Sequence, residues 1–321
     1  MKTRVDKRLE IFNKYADSLN LLIKNGIINL KLENTHTYIC PICLTQFSEQ
    51  ALIQSLENPL TLEDVPPVSL GGKSEILTCR KCNNSCGQKF DHHLTTGIRI
   101  VDDSEFIPGT ERNVILTKEG VDVNAQIKVG KDGLINVHIP TKKNNPEKLK
   151  RHIEKIKKDD EVQLINYSNN FDNEKFRMGL LKIGYLMVFK KFGYSIILDP
   201  IYDPIREQLR NPEKITYEQN YISTLPIMGV ECVALVIETG FESMFSVFSL
   251  KASDIERPYQ VFIPLPGKPI SEALNRFREK YKSDKNPSLE MKAMNNSDYL
   301  TNIEAIKNML NWINYLAANK N

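Results

Sequence analysis

A chain of 321 residues is long enough for two domains or more, and its 41% hydrophobic content can fill a sizeable core. Its 43 Lys and Arg against 40 Asp and Glu give a formal net charge of +3, which permits nucleic-acid binding without arguing for it, so any such surface has to be local. There is no apolar run of about 18 residues to span a membrane and no apolar signal core after residues 1–8, so six cysteines fit metal ligation in a reducing cytoplasm better than disulfides.

In chain order, Val5, Leu9, Phe12, Tyr15, Ala16, Leu19, Leu22 and Ile23 recur at helical steps and predict a helix over residues 5–25, ended by Asn25-Gly26. Residues 1–35 are expected to pack on the cysteine-bearing segment 36–97. Strands are predicted over 112–117, 121–129 and 133–139, where Val121, Val123, Ala125, Ile127 and Val129 alternate with polar neighbours. Lys118-Glu119-Gly120 and Lys131-Asp132-Gly133 supply the turns of this β-meander. Pro146 suits the first turn of a basic helix ending near Asp160, and the region closes there, covering 98–160.

Residues 161–321 form the expected C-terminal domain. A strongly apolar helix is predicted over 171–192 and a buried strand over 194–198. Strands follow over 229–238, 243–250 and 259–263, then helices over 270–281 and 298–318. The fold class is therefore α+β, an N-terminal zinc-bound unit followed by a mixed α+β body.

The most specific motif is Cys40-Pro41-Ile42-Cys43, then 35 residues, then Cys79-Arg80-Lys81-Cys82. Two C-x2-C knuckles at this spacing match a structural zinc site with four thiolate ligands. A shell closed by four sulfurs leaves no position for water, so this ion is expected to pin the fold and not to catalyse. Cys86, one helical turn past Cys82, is either a competing ligand or a small packed hydrophobe.

Between the knuckles, Leu62-Glu63-Asp64-Val65-Pro66-Pro67, Ser69-Leu70-Gly71-Gly72 and Cys79-Arg80-Lys81-Cys82-Asn83-Asn84 resemble the HNH endonucleases of the ββα-metal fold, in the branch tied by two CxxC knuckles. The resemblance covers about 60 residues and names no family for residues 98–321. It implies that Glu63 is a metal ligand at the end of the first strand and that Asn83 is the ligand on the helix. The general-base histidine position holds Asp64, and the middle asparagine falls near Ser74 or Glu75. An aspartate is a weaker base than histidine near neutral pH. Asp64 thus reads as a second carboxylate ligand, as the mark of a unit that binds without cleaving, or as a residue whose base role passes to His92 or His93. Asn83 also suits a plain helix cap.

The resemblance implies a magnesium- or manganese-dependent endonuclease acting on DNA phosphodiesters, with a targeting or regulatory C-terminal body. The alternative is a catalytically degenerate, zinc-stabilised nucleic-acid-binding protein. The partner is DNA, with RNA as the second candidate and no membrane. A protein partner or self-association would use the C-terminal domain. Lys73, Arg80, Lys81 and Lys89 surround the expected site and suit phosphate contacts. A second basic group, Lys142, Lys143, Lys148, Lys150, Arg151, Lys155, Lys157 and Lys158, reads as a phosphate-tracking surface or as a solvated helix balanced by Glu147, Glu154, Asp159 and Asp160. Phe176, Tyr185, Phe189, Phe192 and Tyr194 have core spacing, and Arg206 has no assigned chemistry. No phosphate-binding P-loop, dinucleotide fingerprint or serine-hydrolase elbow occurs.

Overall fold

The computed structural model describes residues 4–157, 163–166, 171–214, 217, 222–223, 231–253, 255–283, 288–295 and 297–318. In chain order, α1 (Arg4–Lys24), β1 (Tyr38–Ile39), β2 (Gln46–Phe47), β3 (Leu60–Val65), β4 (Lys73–Cys79) and α2 (Arg80–Cys86) come first. A π turn, Gly87–Asp91, leads into α3 (His92–Ser104). Next are β5 (Glu111–Lys118), β6 (Val121–Val129), β7 (Ile135–His138), α4 (Pro146–Lys155) and β8 (Gln163–Asn166). The remainder holds α5 (Asn173–Phe192), α6 (Tyr194–Ile197), α7 (Asp203–Arg210), β9 (Ile222–Ser223), β10 (Cys232–Val236), β11 (Ser243–Leu250), β12 (Arg257–Ile263), α8 (Ser271–Ser283), β13 (Met291–Ala293) and α9 (Ile303–Ala318).

The fold is mixed α+β, as expected, but it divides differently. One compact unit joins residues 1–94, 173–250 and 257–321, and the other holds residues 95–172 and 251–256. The cysteine segment and the C-terminal elements, expected as separate domains, share the larger unit.

Helix α5 is the reason. Its buried residues run without a break from Met178 to Phe189, and a helix apolar on every side has to be covered on every side. One side packs on an antiparallel sheet of order β13-β10-β11-β12-β9. Gly184 permits this close approach, since a Cβ there would lie 2.9 Å from Val261 Cβ, and its carbonyl accepts from Ser246 Oγ at 2.8 Å. Other sides of α5 meet β3, the π turn, α6 and α7.

Buried phenols tie these elements to the first knuckle. Tyr185 OH donates to Pro41 O at 2.6 Å. Tyr194 OH donates to Ile39 O at 2.9 Å and accepts from Ile39 N at 2.8 Å. Tyr38 OH spans to β4, donating to Leu77 O at 2.7 Å and accepting from Leu77 N at 3.1 Å. Burial pushes Tyr185 up to about 12, so its hydroxyl stays a donor.

The expected strand at 194–198 is instead the single helical turn α6. A short apolar run does not distinguish a buried strand from a buried helical turn. Here Gly193, at φ 58°, ends α5 and the Asp199 side chain caps the turn that follows at Pro200. Of the strand expected over 229–238, Cys232–Val236 is observed; residues 229–230 lie outside the described residues. Helix α9 starts at Ile303, later than the expected 298, because Asp298 folds back on the Leu300 and Thr301 amides and Asn302 Oδ1 accepts from Ala305 N. Helix α4 ends at Lys155, and Lys158, Asp159 and Asp160 lie outside the described residues.

In the smaller unit the expected meander β5-β6-β7 is present, and β8 extends it to the order β7-β6-β5-β8. Val114, Leu116, Val123, Ala125 and Ile127 form its core, with Leu149 of α4 packed against them. Asn145 caps α4 by accepting from the Glu147 and Lys148 amides, with Pro146 in the first turn.

Gly71-Gly72 sits between β3 and β4. Gly71 adopts φ 93°, and a Cβ at Gly72 would fall 1.6 Å from Pro66 O. Gly72→Ala therefore has to displace backbone, and a loss of about 1–3 kcal/mol is expected in denaturant titration. An unchanged midpoint would show that the loop adjusts freely.

Candidate metal centre and hairpin–helix site

The C-x2-C pairs lie on a tight turn after β1 and at the junction of β4 with α2. All four sulfurs lie within 4.8 Å of one another. Cys43 Sγ and Cys79 Sγ are 3.8 Å apart, far beyond a disulfide bond. A tetrahedron with metal–sulfur bonds of about 2.3 Å has edges of about 3.8 Å, so the donor set fits a metal ion such as zinc. Cys79 N donates to Cys40 Sγ at 3.5 Å, and Cys43 Sγ lies 3.2 Å from the Thr45 hydroxyl. Cys86 is buried outside this group, where its neighbour is Leu209 O at 3.9 Å.

Glu63 is 3% exposed and faces the interior. Its Oε1 lies 2.7 Å from Lys182 Nζ and its Oε2 accepts from Thr78 Oγ1 at 2.9 Å. Lys182 comes from the middle of α5, is 1% exposed, and also reaches Asp91 Oδ1 at 3.3 Å. Burial raises the Glu63 carboxyl, with the ammonium opposing it. Burial alone would pull Lys182 down, but Glu63 and Asp91 more than offset that and hold it above lysine's ordinary value. The Lys182 ammonium therefore sits between two carboxylates beside β3.

Asp64 takes different partners. Pairing shifts register between Glu63↔Ile76 and Asp64↔Ser74, which leaves Glu75 as a bulged residue on β4. Ser74 Oγ donates to Asp64 Oδ1, and the bulged Glu75 is ion-paired with Lys190. Thus Ser74 and Glu75 are both engaged, one with Asp64 and the other with α5.

Asn83 lies inside α2, whose N-cap is Cys79, so it is not the helix cap. Its amide donates to Leu62 O at 2.8 Å and Thr61 Oγ1 at 3.0 Å, fastening the helix to β3. His92 is exposed and His93 buried, with ring centroids 5.3 Å apart. Among the described residues, the four cysteines form the only group of three or more His, Cys, Asp or Glu with converging ligand atoms. Glu63, Asp64, His92 and His93 therefore do not assemble a second such cluster. A divalent ion beside Glu63 would meet the Lys182 ammonium, so these residues do not fit one in this arrangement.

Of the basic residues expected around the site, Arg80 has a structural role, donating to Gln54 O at 2.6 Å and Leu56 O at 3.0 Å. Lys73 and Lys81 are exposed and Lys89 is half-buried. Lys81 meets Glu57 at 3.2 Å in an exposed pair, which contributes little. In the smaller unit, Lys142, Lys143, Lys148 and Arg151 are exposed, while Lys150 meets Glu154 at 3.9 Å and Lys155 meets Glu119 at 3.0 Å. Arg206 is buried and holds Ile197 O at 2.5 Å and Asp203 Oδ1 at 2.6 Å. The aromatic set Phe176, Tyr185, Phe189, Phe192 and Tyr194 is core.

Comparison with protein-family models, curated proteins and solved structures returned no match. No described helix is long and apolar enough to cross a membrane.

Proposed function

We propose that the larger unit binds nucleic acid through a zinc-pinned hairpin–helix of HNH-like design whose cation basin is filled by Lys182. The observation that carries this reading is the 2.7 Å contact between Lys182 and the buried Glu63. A resident ammonium supplies the positive charge that a divalent ion would otherwise bring, and it cannot polarise a phosphate it does not reach. Asn83 and Asp64, engaged with Leu62 and Ser74, then keep the hairpin and helix in shape. The zinc ion, held by Cys40, Cys43, Cys79 and Cys82, is a structural cofactor. Lys73, Lys81 and Lys89 offer the phosphate contacts, with DNA the first substrate to try and RNA the second.

Fluorescence anisotropy with labelled DNA and RNA duplexes tests this, run across salt concentrations. Each phosphate contact contributes a slope of about −0.9 in log K against log salt for duplex DNA. The triple change of Lys73, Lys81 and Lys89 to Ala should lower the slope by about 2–3. Plasmid incubated with magnesium or manganese should stay intact. Metal-dependent nicking lost in Glu63→Gln would restore the hydrolytic reading, whereas absence of salt-sensitive binding to either duplex would remove the nucleic-acid assignment.

A further inference from the structure

The sheet of the smaller unit ends in a bare strand. In the order β7-β6-β5-β8, strand β7 is outermost and exposed along its whole length. Its register with β6 decides what that edge presents. Ile135 lies opposite Val129 and Val137 opposite Ile127, so both side chains project to the face that carries the core. Val129 and Ile127 are each 2% exposed, yet Ile135 and Val137 are 52% and 51% exposed. Ile139, two residues on, is packed against the core. The apolar face therefore runs past its own cover at Ile135 and Val137, with Leu134 exposed beside them.

The backbone of β7 offers bonds in the same place. Val129 N donates to Thr110 O at 2.9 Å and Val129 O accepts from Gly109 N at 2.9 Å, so the polar groups of Val129 point away from β7. Val129–Ile135 and, two residues on, Ile127–Val137 are thus the non-hydrogen-bonded pairs of the ladder. The amides and carbonyls of Ile135 and Val137 are directed to the open edge, and among the described residues no hydrogen bond reaches them there.

What completes such an edge is another strand. Its charge pattern favours a strand of the same sequence. Residues 133–141 contain no Lys, Arg, Asp or Glu, so the charges that usually guard an edge are missing and β7 meets no like charge when laid against itself. A two-fold pairing also closes on itself, whereas β7 laid on β8 of the next copy would run on as a fibre.

We propose that β7 pairs antiparallel with β7 of a second copy of this chain, joining the two sheets into one. Centred on Asn136, Ile135 of one protomer exchanges both bonds with Val137 of its partner, and the reverse, so apolar side chains meet on the core face. Asn136 faces its own copy across the two-fold axis as a non-hydrogen-bonded pair, with Cα atoms about 4.5 Å apart. The assignment is independent of the hairpin's nucleic-acid role, and it places self-association on the meander and not on the expected C-terminal domain.

Sedimentation of the full chain over about 2–200 µM tests it and should show a monomer–dimer equilibrium with Kd of about 10–100 µM, the weak range of interfaces below about 1,200 Å². Val137→Pro removes an outward amide without removing a bond to β6, a place where an edge strand tolerates proline. It should weaken the dimer about tenfold or more, through one lost hydrogen bond per copy. Ile135→Lys, which keeps the backbone and adds an edge charge, should leave a monomer. Leu164→Lys on the opposite edge should leave the dimer unchanged. Asn136→Cys should form a disulfide-linked dimer on mild oxidation and His138→Cys should not, since only the former meets its own copy at bridging distance. A monomer at about 200 µM, a dimer equally stable in Val137→Pro and Ile135→Lys, or a dimer lost in Leu164→Lys would overturn the proposal.

Discussion

Depriving the four-cysteine site of the metal proposed for it is expected to unfold the N-terminal part of the larger unit. Structural zinc contributes about 10–16 kcal/mol of apparent binding free energy in small zinc peptides near neutral pH. A whole domain is stable by about 5–15 kcal/mol, so the metal contribution can equal everything the rest of the unit supplies. Without it, two turns of chain from distant segments lose their common anchor, and packing must hold thiolates that repel one another. Elemental analysis should find about one zinc per chain. Chelation or Cys43→Ser should remove it and lower the thermal transition steeply, whereas Cys86→Ser should keep the metal because Cys86 lies outside the sulfur cluster. A metal-free preparation with the same transition before and after chelation would refute the assignment.

Lys182→Met should cost about 3–5 kcal/mol, because it leaves Glu63 buried with no cation. The methionine fills a similar volume, so the loss reports charge more than packing. Thr78 remains bonded to Glu63 but supplies only a neutral donor. The decisive comparison is with Glu63→Leu/Lys182→Met, where both charges leave together. Well-packed apolar replacements of buried pairs are often neutral or stabilising, so the double variant should recover most of the stability in denaturant titration. Equal destabilisation of the single and double variants would mean that the pair acts through shape and not through charge.

These two predictions differ in how far the sequence announces them. The cysteine spacing is explicit, and the four sulfurs meet where the knuckles imply. The meander is explicit too, since alternation at 121–129 follows directly from one buried sheet face. Lys182 is not. Within Gly179-Leu180-Leu181-Lys182-Ile183-Gly184 it reads as a polar interruption on an apolar helix, and its partners lie 119 and 91 positions upstream, as the numbering of Glu63 and Asp91 shows. The available clue was that lysine is almost never fully buried unless paired, while every face of this helix is apolar enough to be covered. The turn at Tyr194–Ile197 was illegible for another reason: a run of four residues is too short to separate the helical from the strand periodicity.

Asn83 shows the same limit from the other direction. Its residue type and place on the helix suit a ligand, a cap or a clasp equally. The clasp becomes visible only when the carbonyl of Leu62 is seen within reach.

Synthesis order gives the Glu63–Lys182 pair a temporal consequence. The last cysteine of the cluster leaves the ribosome 100 residues before Lys182, by the numbering of Cys82 and Lys182. At about 5–20 residues per second this is a delay of roughly 5–20 s. Throughout it the nascent hairpin has its thiolates but neither the ammonium that neutralises Glu63 nor the phenols of Tyr185 and Tyr194 that clamp the first knuckle. Cells starved of zinc during that window would accumulate unfinished chains, and supplying the metal only afterwards would rescue a smaller fraction than supplying it during translation.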